Sequence, residues 1–401
     1  MQKKFLRSLT PALICLASVA FAGQYTKDND HMYAEHSDLE NKVITPNASP
    51  IVKHGVDVFF SADFIYWTGR LDGLGYAFTG SPSGTETDNA AFVNQAAGVN
   101  VASGRTSYVN RKWSPGFKVG IGLDLGHDGW DLGAEYTWFR TSPSGSITGG
   151  TALGTAIIAT FQPSPSSQII NSGAAANLVI ADASARYRLH FNVMDVSLGR
   201  NFFVSPRLTT RPHFGLKGTW QTQRFTPRYN NITGTITSGT TTTTISDAFY
   251  HHNFKQSYWG VGIRTGMDTS WQFIQSFGVY GNWALSALWG QFDVNRRDTT
   301  QSTETIVDTE NSSNDATNVI LPSRIVDVTN RFHTLSPVLE LALGLRYDYW
   351  FSDNDYRFRI QAGWEEQIWF DQNQLFDIQI LRPLHGNLIF QGFTLKVRFD
   401  F

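Results

Sequence analysis

The chemistry of this chain is carried by charged side chains at alternate positions inside otherwise apolar, aromatic segments. The positive members are Lys118, Arg188, Lys217, Arg264, Arg346, Arg357, Arg359, Lys396 and Arg398. The negative members are Asp124, Asp131, Glu135, Asp195, Glu340, Asp348, Glu365 and Asp400. A β-strand sends successive side chains to opposite faces. Charges at every second position therefore share one face and leave the other to apolar residues. Such a face lines a lumen, where rings of charge sort solutes. The same residues, paired across a narrow lumen, would instead fill it with salt bridges. The two signs nearly cancel, so strong ion selectivity is not expected.

Other chemistries find little to work with. His251 and His252 follow Asp247 by four and five residues, but no serine or carboxylate pair of distinctive context completes a nucleophilic site. They read as solvated loop histidines, and a metal there would lack an identifiable third ligand. Cys15 is the only cysteine and lies in the leader described below. That excludes a disulfide framework, a thiol enzyme and a cysteine-ligated metal in the exported chain. No enzyme activity, cofactor or metal is expected. The formal net charge of −2 gives no reason to expect a nucleic-acid partner.

The elements that must hold those charges are strands. The last, Asn387 to Phe401, is the clearest. Ile389, Gln391, Phe393, Leu395, Val397, Phe399 and Phe401 form one set, and Thr394, Lys396, Arg398 and Asp400 the other. Nine earlier segments repeat this two-faced pattern: Val56–Trp67, Trp113–Gly126, Trp130–Trp138, Ala183–Arg200, Arg207–Phe225, a strand around Trp259–Asp268, Phe277–Trp289, Phe332–Trp350 and Tyr356–Phe370. In the fourth, Tyr187, Leu189, Phe191 and Val193 share one parity while Val196 and Leu198 share the other. A β-bulge near Met194 would restore a single apolar face. Ala156–Phe161 with Asn177–Ala181 would make an extra hairpin, raising ten strands to twelve.

Short turns at 126–129, 201–206, 269–275 and 351–355 alternate with long polar stretches at about 69–112, 140–182, 226–256, 293–330 and 371–386. Outer-membrane barrels show this alternation, with short periplasmic turns and long extracellular loops. Aromatics fall at both ends of the strands. Trp130, Trp271, Trp350 and Phe401 mark the turn end, and Trp67, Trp113, Trp138, Trp220, Trp259, Trp289 and Trp369 the loop end. Such rings suit two membrane–water interfaces. The fold expected is all-β: a transmembrane antiparallel up-and-down barrel closed by the strand that ends on Phe401. Ten strands lie near the size whose interior side chains fill, although inward Gly120, Gly122, Gly133 and Gly344 would leave room.

Composition and the N-terminus agree. Charged residues are 16% of the chain and aromatics 14%, against about 25% charged in ordinary globular domains. Residues 1–22 read as a signal peptide: Lys3, Lys4 and Arg7, an apolar run, then a cleavage site between Ala22 and Gly23. Beyond it no apolar run approaches the ~20 residues of a spanning helix. Residues 23–55 read as a flexible periplasmic lead-in and 56–401 as the barrel.

Several stretches resemble the Legionella-type major outer membrane protein family, barrels also found in chlamydia-like bacteria. They are Phe64-Ile65-Tyr66-Trp67 with Asp72-Gly73-Leu74, Trp113-Ser114-Pro115-Gly116-Phe117-Lys118-Val119-Gly120, and Asp128-Gly129-Trp130-Asp131-Leu132 with Tyr136-Thr137-Trp138. Val193-Met194-Asp195-Val196 and Arg211-Pro212-His213-Phe214-Gly215-Leu216 continue the likeness. The resemblance implies an abundant outer-membrane protein, porin-like for small hydrophilic solutes and in contact with host cells. Its partners would be outer-membrane lipid, the barrel-assembly machinery that reads the terminal Phe401, and the host-cell surface. Disulfide cross-linking, a feature of major outer membrane proteins in such bacteria, is ruled out by the absence of cysteine after the leader. A plugged barrel acting as adhesin or shield through its loops is the alternative.

Overall fold

The computed structural model describes residues 46–49, 57–81, 103–125, 128–149, 156–161, 175–238, 241–274, 276–308, 317–351, 356–377 and 382–401. The expected signal peptide, residues 1–22, and most of the expected lead-in lie outside the described residues. Ten strands form the main structure: β1 Val58–Leu71, β2 Trp113–Asp124, β3 Trp130–Thr141, β4 Ala175–Arg200 and β5 Leu208–Ser238, then β6 Thr241–Gln272, β7 Phe277–Asp308, β8 Thr317–Phe351, β9 Tyr356–Trp369 and β10 Leu388–Asp400. Each pairs antiparallel with its neighbours in sequence, and β1 pairs with β10 from Phe59↔Asp400 to Leu71↔Leu388. The sheet closes into an up-and-down barrel. Val58 and Phe401 exchange backbone hydrogen bonds at 3.0 and 3.1 Å, and the Phe401 ring stacks on Phe60 at 5.6 Å. The ring has ten strands, not twelve. Ala156–Ala159 pairs with Gly75–Ser81 in a separate three-stranded sheet completed by Ser103–Tyr108, and residues 177–181 begin β4.

Alternation sets the two faces. Phe117, Val119, Ile121 and Leu123 on β2, and Leu341, Leu343 and Leu345 on β8, are all more than 40% exposed. Lys118, between Phe117 and Val119, and Glu340, next to Leu341, are buried. An apolar surface of this size persists only against lipid. Trp259 and Trp271 on β6, and Trp289 and Phe277 on β7, bound it; each pair is twelve residues apart. At about 3.3 Å per residue and a tilt near 40°, that is roughly 30 Å across, the thickness of a bilayer core.

Strands β4 to β8 do not stop at this boundary, which corrects the sequence reading. The stretches 226–256 and 293–330, expected as loops, are largely paired strand up to Ser238↔Thr241 and Ile306↔Thr317. Threonine and β-branched residues suit extended backbone, and Thr241–Thr244 begins a strand. Past Trp289 the outer face turns polar: Arg331 bonds Asp293 at 2.7 Å, and Asn295 donates to Thr329 at 3.2 Å. Five strands thus rise beyond the girdle as a wall, while β1, β2, β3, β9 and β10 are short. Bulges interrupt it at Asn231 and Asp247, with φ of 53° and 51°. Asn and Asp tolerate this left-handed backbone better than most residues. Paired backbone resists proteases. Whole-cell digestion followed by peptide mapping is therefore expected to leave 245–272 and 277–300 uncut. Nicks inside either stretch would contradict the wall.

At the turn end, Asp128 and Gly129 take φ of 53° and 78°. Residues 46–49 are not a free lead-in. Asn47 bridges to Phe202, Phe203 donates to the Pro46 carbonyl at 3.0 Å, and Ser49 reaches the Gly129 carbonyl at 3.3 Å.

Candidate functional site: the lumen

Parity decides which side chains enter the lumen, and the result has two parts. The turn-end half is charged and surrounds a cavity of about 490 Å³. Lys217, 1% exposed, lies between Asp195 and Glu340 at 2.8 and 2.7 Å, and Arg264 bonds the same Glu340 at 2.8 Å. Lys118 meets Glu365 at 2.6 Å; Lys396 meets Glu135 at 2.6 Å and Asp63 at 3.6 Å. Arg211 joins Asp131 and, at 3.0 Å, Asp268. Arg346, Arg357 and Arg359 converge on Asp348, and Arg398 on Asp400 with Asp124 at 3.7 Å. Charges removed from water must be paired to be tolerated, and here strands far apart in sequence supply the partners.

Of the candidate lining residues, Arg188 alone lies elsewhere. It is exposed, between buried Tyr187 and Leu189. The reason is that β4 has no bulge near Met194. Its register with β5 is unbroken from His213↔Gly199 to Asn230↔Asp182. Tyr187, Leu189, Phe191 and Val193 therefore face inward, and Met194 and Val196 face lipid. The change of apolar parity in the sequence marks a lumen that turns apolar. The inward glycines leave less room than their size promises. A side chain at Gly120 would meet Ser61, and one at Gly122 would meet the Phe59 ring, on which Arg398 stacks at 3.6 Å.

The loop-end half is dry. Trp67, Phe139 and Trp369 are 0% exposed, and Phe191 and Phe390 1%. Phe390 touches Phe191, Phe139 and Trp67 at 4.4, 5.7 and 5.9 Å between ring centroids, and Trp369 meets Phe191 at 5.2 Å. The layer sits directly on the ions: Lys118 lies over Trp67 at 5.1 Å and Lys217 over Trp369 at 5.8 Å. Trp67 donates to Thr394 at 3.1 Å and Trp369 to Gln367 at 3.2 Å. Trp67 and Trp369 are thus not girdle residues. Their parity, shared with Asp63 and Glu365, was the available signal. Trp350 likewise shares the parity of Asp348, and it lines the cavity beneath Arg357.

Above the dry layer, loop segments fold inward. Gln256 donates to the Gln372 carbonyl at 2.7 Å and accepts from Gln374 N–H at 2.9 Å, holding a stretch in which Gln372, Asn373 and Leu375 are buried. Phe161 packs on Phe254 at 4.9 Å and on Phe225 at 5.7 Å. His252 is not a solvated loop residue. It is 2% exposed, bonded to Asp298 at 2.8 Å, and Arg296 holds the other side of that carboxylate. The cluster has no local signature in the sequence, because its two strands carry the polar composition of loops. His251 sits outside it, bonded to Asn230 at 2.7 Å.

A closed ten-stranded ring, an apolar outer band bounded by aromatics and a charged inner face define an outer-membrane β-barrel. The match of residues 60–401 to the family described as Legionella pneumophila major outer membrane protein precursor makes the chain a member of that family. A comparison with curated proteins finds no match. Among solved structures, the chain is similar to the outer membrane protease OmpT from Escherichia coli, with 11% identity, 87% of this chain and 98% of that one covered, and a TM-score of 0.34. It is also similar to a Pseudomonas aeruginosa FadL homologue, with 8% identity, coverage of 90% and 98%, and a TM-score of 0.25. The Pseudomonas putida toluene transporter TodX follows, with 10% identity, coverage of 88% and 92%, and a TM-score of 0.21. Likeness at this level says nothing about activity.

Proposed function

We propose that this protein is a non-enzymatic surface barrel whose lumen is closed to free diffusion, and that it works through the strand wall on its outer side. One observation carries this reading: the dry layer of Trp67, Phe139, Phe191, Trp369 and Phe390 across the lumen. A hydrated solute has no path through side chains packed as in a protein interior. In this reading the signal peptide exports the chain, the assembly machinery recognises the strand ending on Phe401, and the wall meets the host-cell surface. Folded protein in planar bilayers is expected to carry no steady current. A sustained ohmic conductance would overturn closure. Replacing 229–250 and 298–326, each by a short turn that joins the trimmed strands, should lower attachment to host cells, and unchanged attachment would remove the surface role.

A second reading, the porin-like passage of small hydrophilic solutes, has one observation in its favour. Both polar atoms of the buried Gln372 side chain lack a hydrogen-bond partner, a cost that leaving the lumen would relieve. That reading makes the segment around 372–375 a gate whose departure also loosens the aromatic layer beneath it, and its removal should then produce conductance.

A further inference from the structure

We propose that the turn-end cavity binds a small soluble oxyanion, a carboxylate or a phosphate, on the guanidiniums of Arg346 and Arg359. The starting point is a local excess of positive charge. Asp348 alone receives Nε of Arg346, Nε and Nη2 of Arg357 at 3.0 and 2.6 Å, and Nε of Arg359 at 2.9 Å. Three cations thus share one carboxylate. On the next strand Arg398 is paired in register directly opposite Arg359, an arrangement of like charges that destabilises a sheet. Arg398 is answered by Asp124 and by its own Asp400, whose charge also reaches Arg357 and Arg359, so four cations face three carboxylates.

These groups are poorly screened. The side chains of Arg346, Arg357 and Arg359 are 11%, 6% and 15% exposed. Buried charge without a partner is costly, so the excess calls for an anion. The donors for it are available. Arg346 and Arg359 spend only Nε on Asp348, and their terminal nitrogens have no hydrogen-bond partner among the described residues. Both side chains line the cavity. A guanidinium offers a planar fork that matches carboxylate and phosphate oxygens, and about 490 Å³ is within the range of small-molecule sites. The cavity acids Glu135 and Asp63 are engaged by Lys396, which leaves the arginines as the cationic side of the cavity. The site lies inside the ring of strands, so the ligand is a soluble anion, not a lipid headgroup. It would exist in a closed or a gated barrel alike.

The test uses the full folded chain in detergent, titrated calorimetrically with inorganic phosphate and separately with citrate at constant ionic strength. Saturable binding of either is expected. Arg346→Gln with Arg359→Gln should weaken it by about tenfold or more, the loss of charged hydrogen bonds. Asp348→Asn removes the competing internal anion and should tighten binding several-fold. No saturable heat from either anion with the wild type would overturn the site, as would unchanged affinity in the arginine variant. Should that variant not refold, Asp348→Asn decides: equal or weaker binding sinks the proposal. Vesicles carrying anionic lipid should not compete with phosphate, and competition would refute a soluble ligand.

Discussion

Lys217→Met is expected to destabilise the folded barrel by about 3–5 kcal/mol. Methionine nearly matches lysine in volume, so the change isolates charge. Lys217 is the shared cation of two carboxylates, Asp195 at 2.8 Å and Glu340 at 2.7 Å. Its side chain is 1% exposed, so water cannot replace it. Without it Arg264, 2.8 Å from Glu340 and 3.7 Å from Asp195, must answer both acids alone. One buried negative charge is then left over. The readout is the temperature at which the compact, heat-modifiable form is lost on gels, with the urea midpoint as a second measure. Glu340→Gln added to Lys217→Met should restore part of the loss, because the surplus charge goes with it. A single variant as stable as the wild type would mean that water reaches these groups and that the network is wetter than its geometry states.

Phe191→Ala should cost about 3–5 kcal/mol, the usual price of emptying a buried phenyl site, and should also admit current. Phe191 is the centre of the dry layer, 4.4 Å from Phe390 and 5.2 Å from Trp369. Removing it links the charged cavity to the polar segment held by Gln256. Small transient conductance steps, absent from the wild type, are the expected sign. A folded variant that is destabilised yet silent would place the seal higher, at Phe161, Phe225 and Phe254.

The barrel itself was legible because its outer face obeys one rule. Phe117 to Leu123 and Leu341 to Leu345 alternate as a lipid-facing strand must, and the charges between them fall inward as counted. Reading failed where the inner face is apolar too. Tyr187 to Val193 looked like an outer face displaced by a bulge, and Trp67 and Trp369 like girdle residues. Each is inward by simple parity, and for tryptophan the position in the strand outweighs its general preference for a membrane boundary. The wall was missed for another reason. Thr, Asn and Asp are common both in loops and on solvated strands, so composition could not separate them. His252 and Asp298, far apart in sequence, meet only once β6 and β7 are known to pair.

The wall also determines what an antibody would recognise. Its surface is a mosaic in which neighbours come from different strands, such as Arg331 beside Asp293 and Asn295 beside Thr329. No continuous peptide reproduces such a patch. Sera raised against the native barrel should therefore bind discontinuous epitopes and lose them on boiling, whereas sera raised against synthetic peptides from 290–335 should see only the unfolded chain. An immunogen built on this protein has to keep the strands in register.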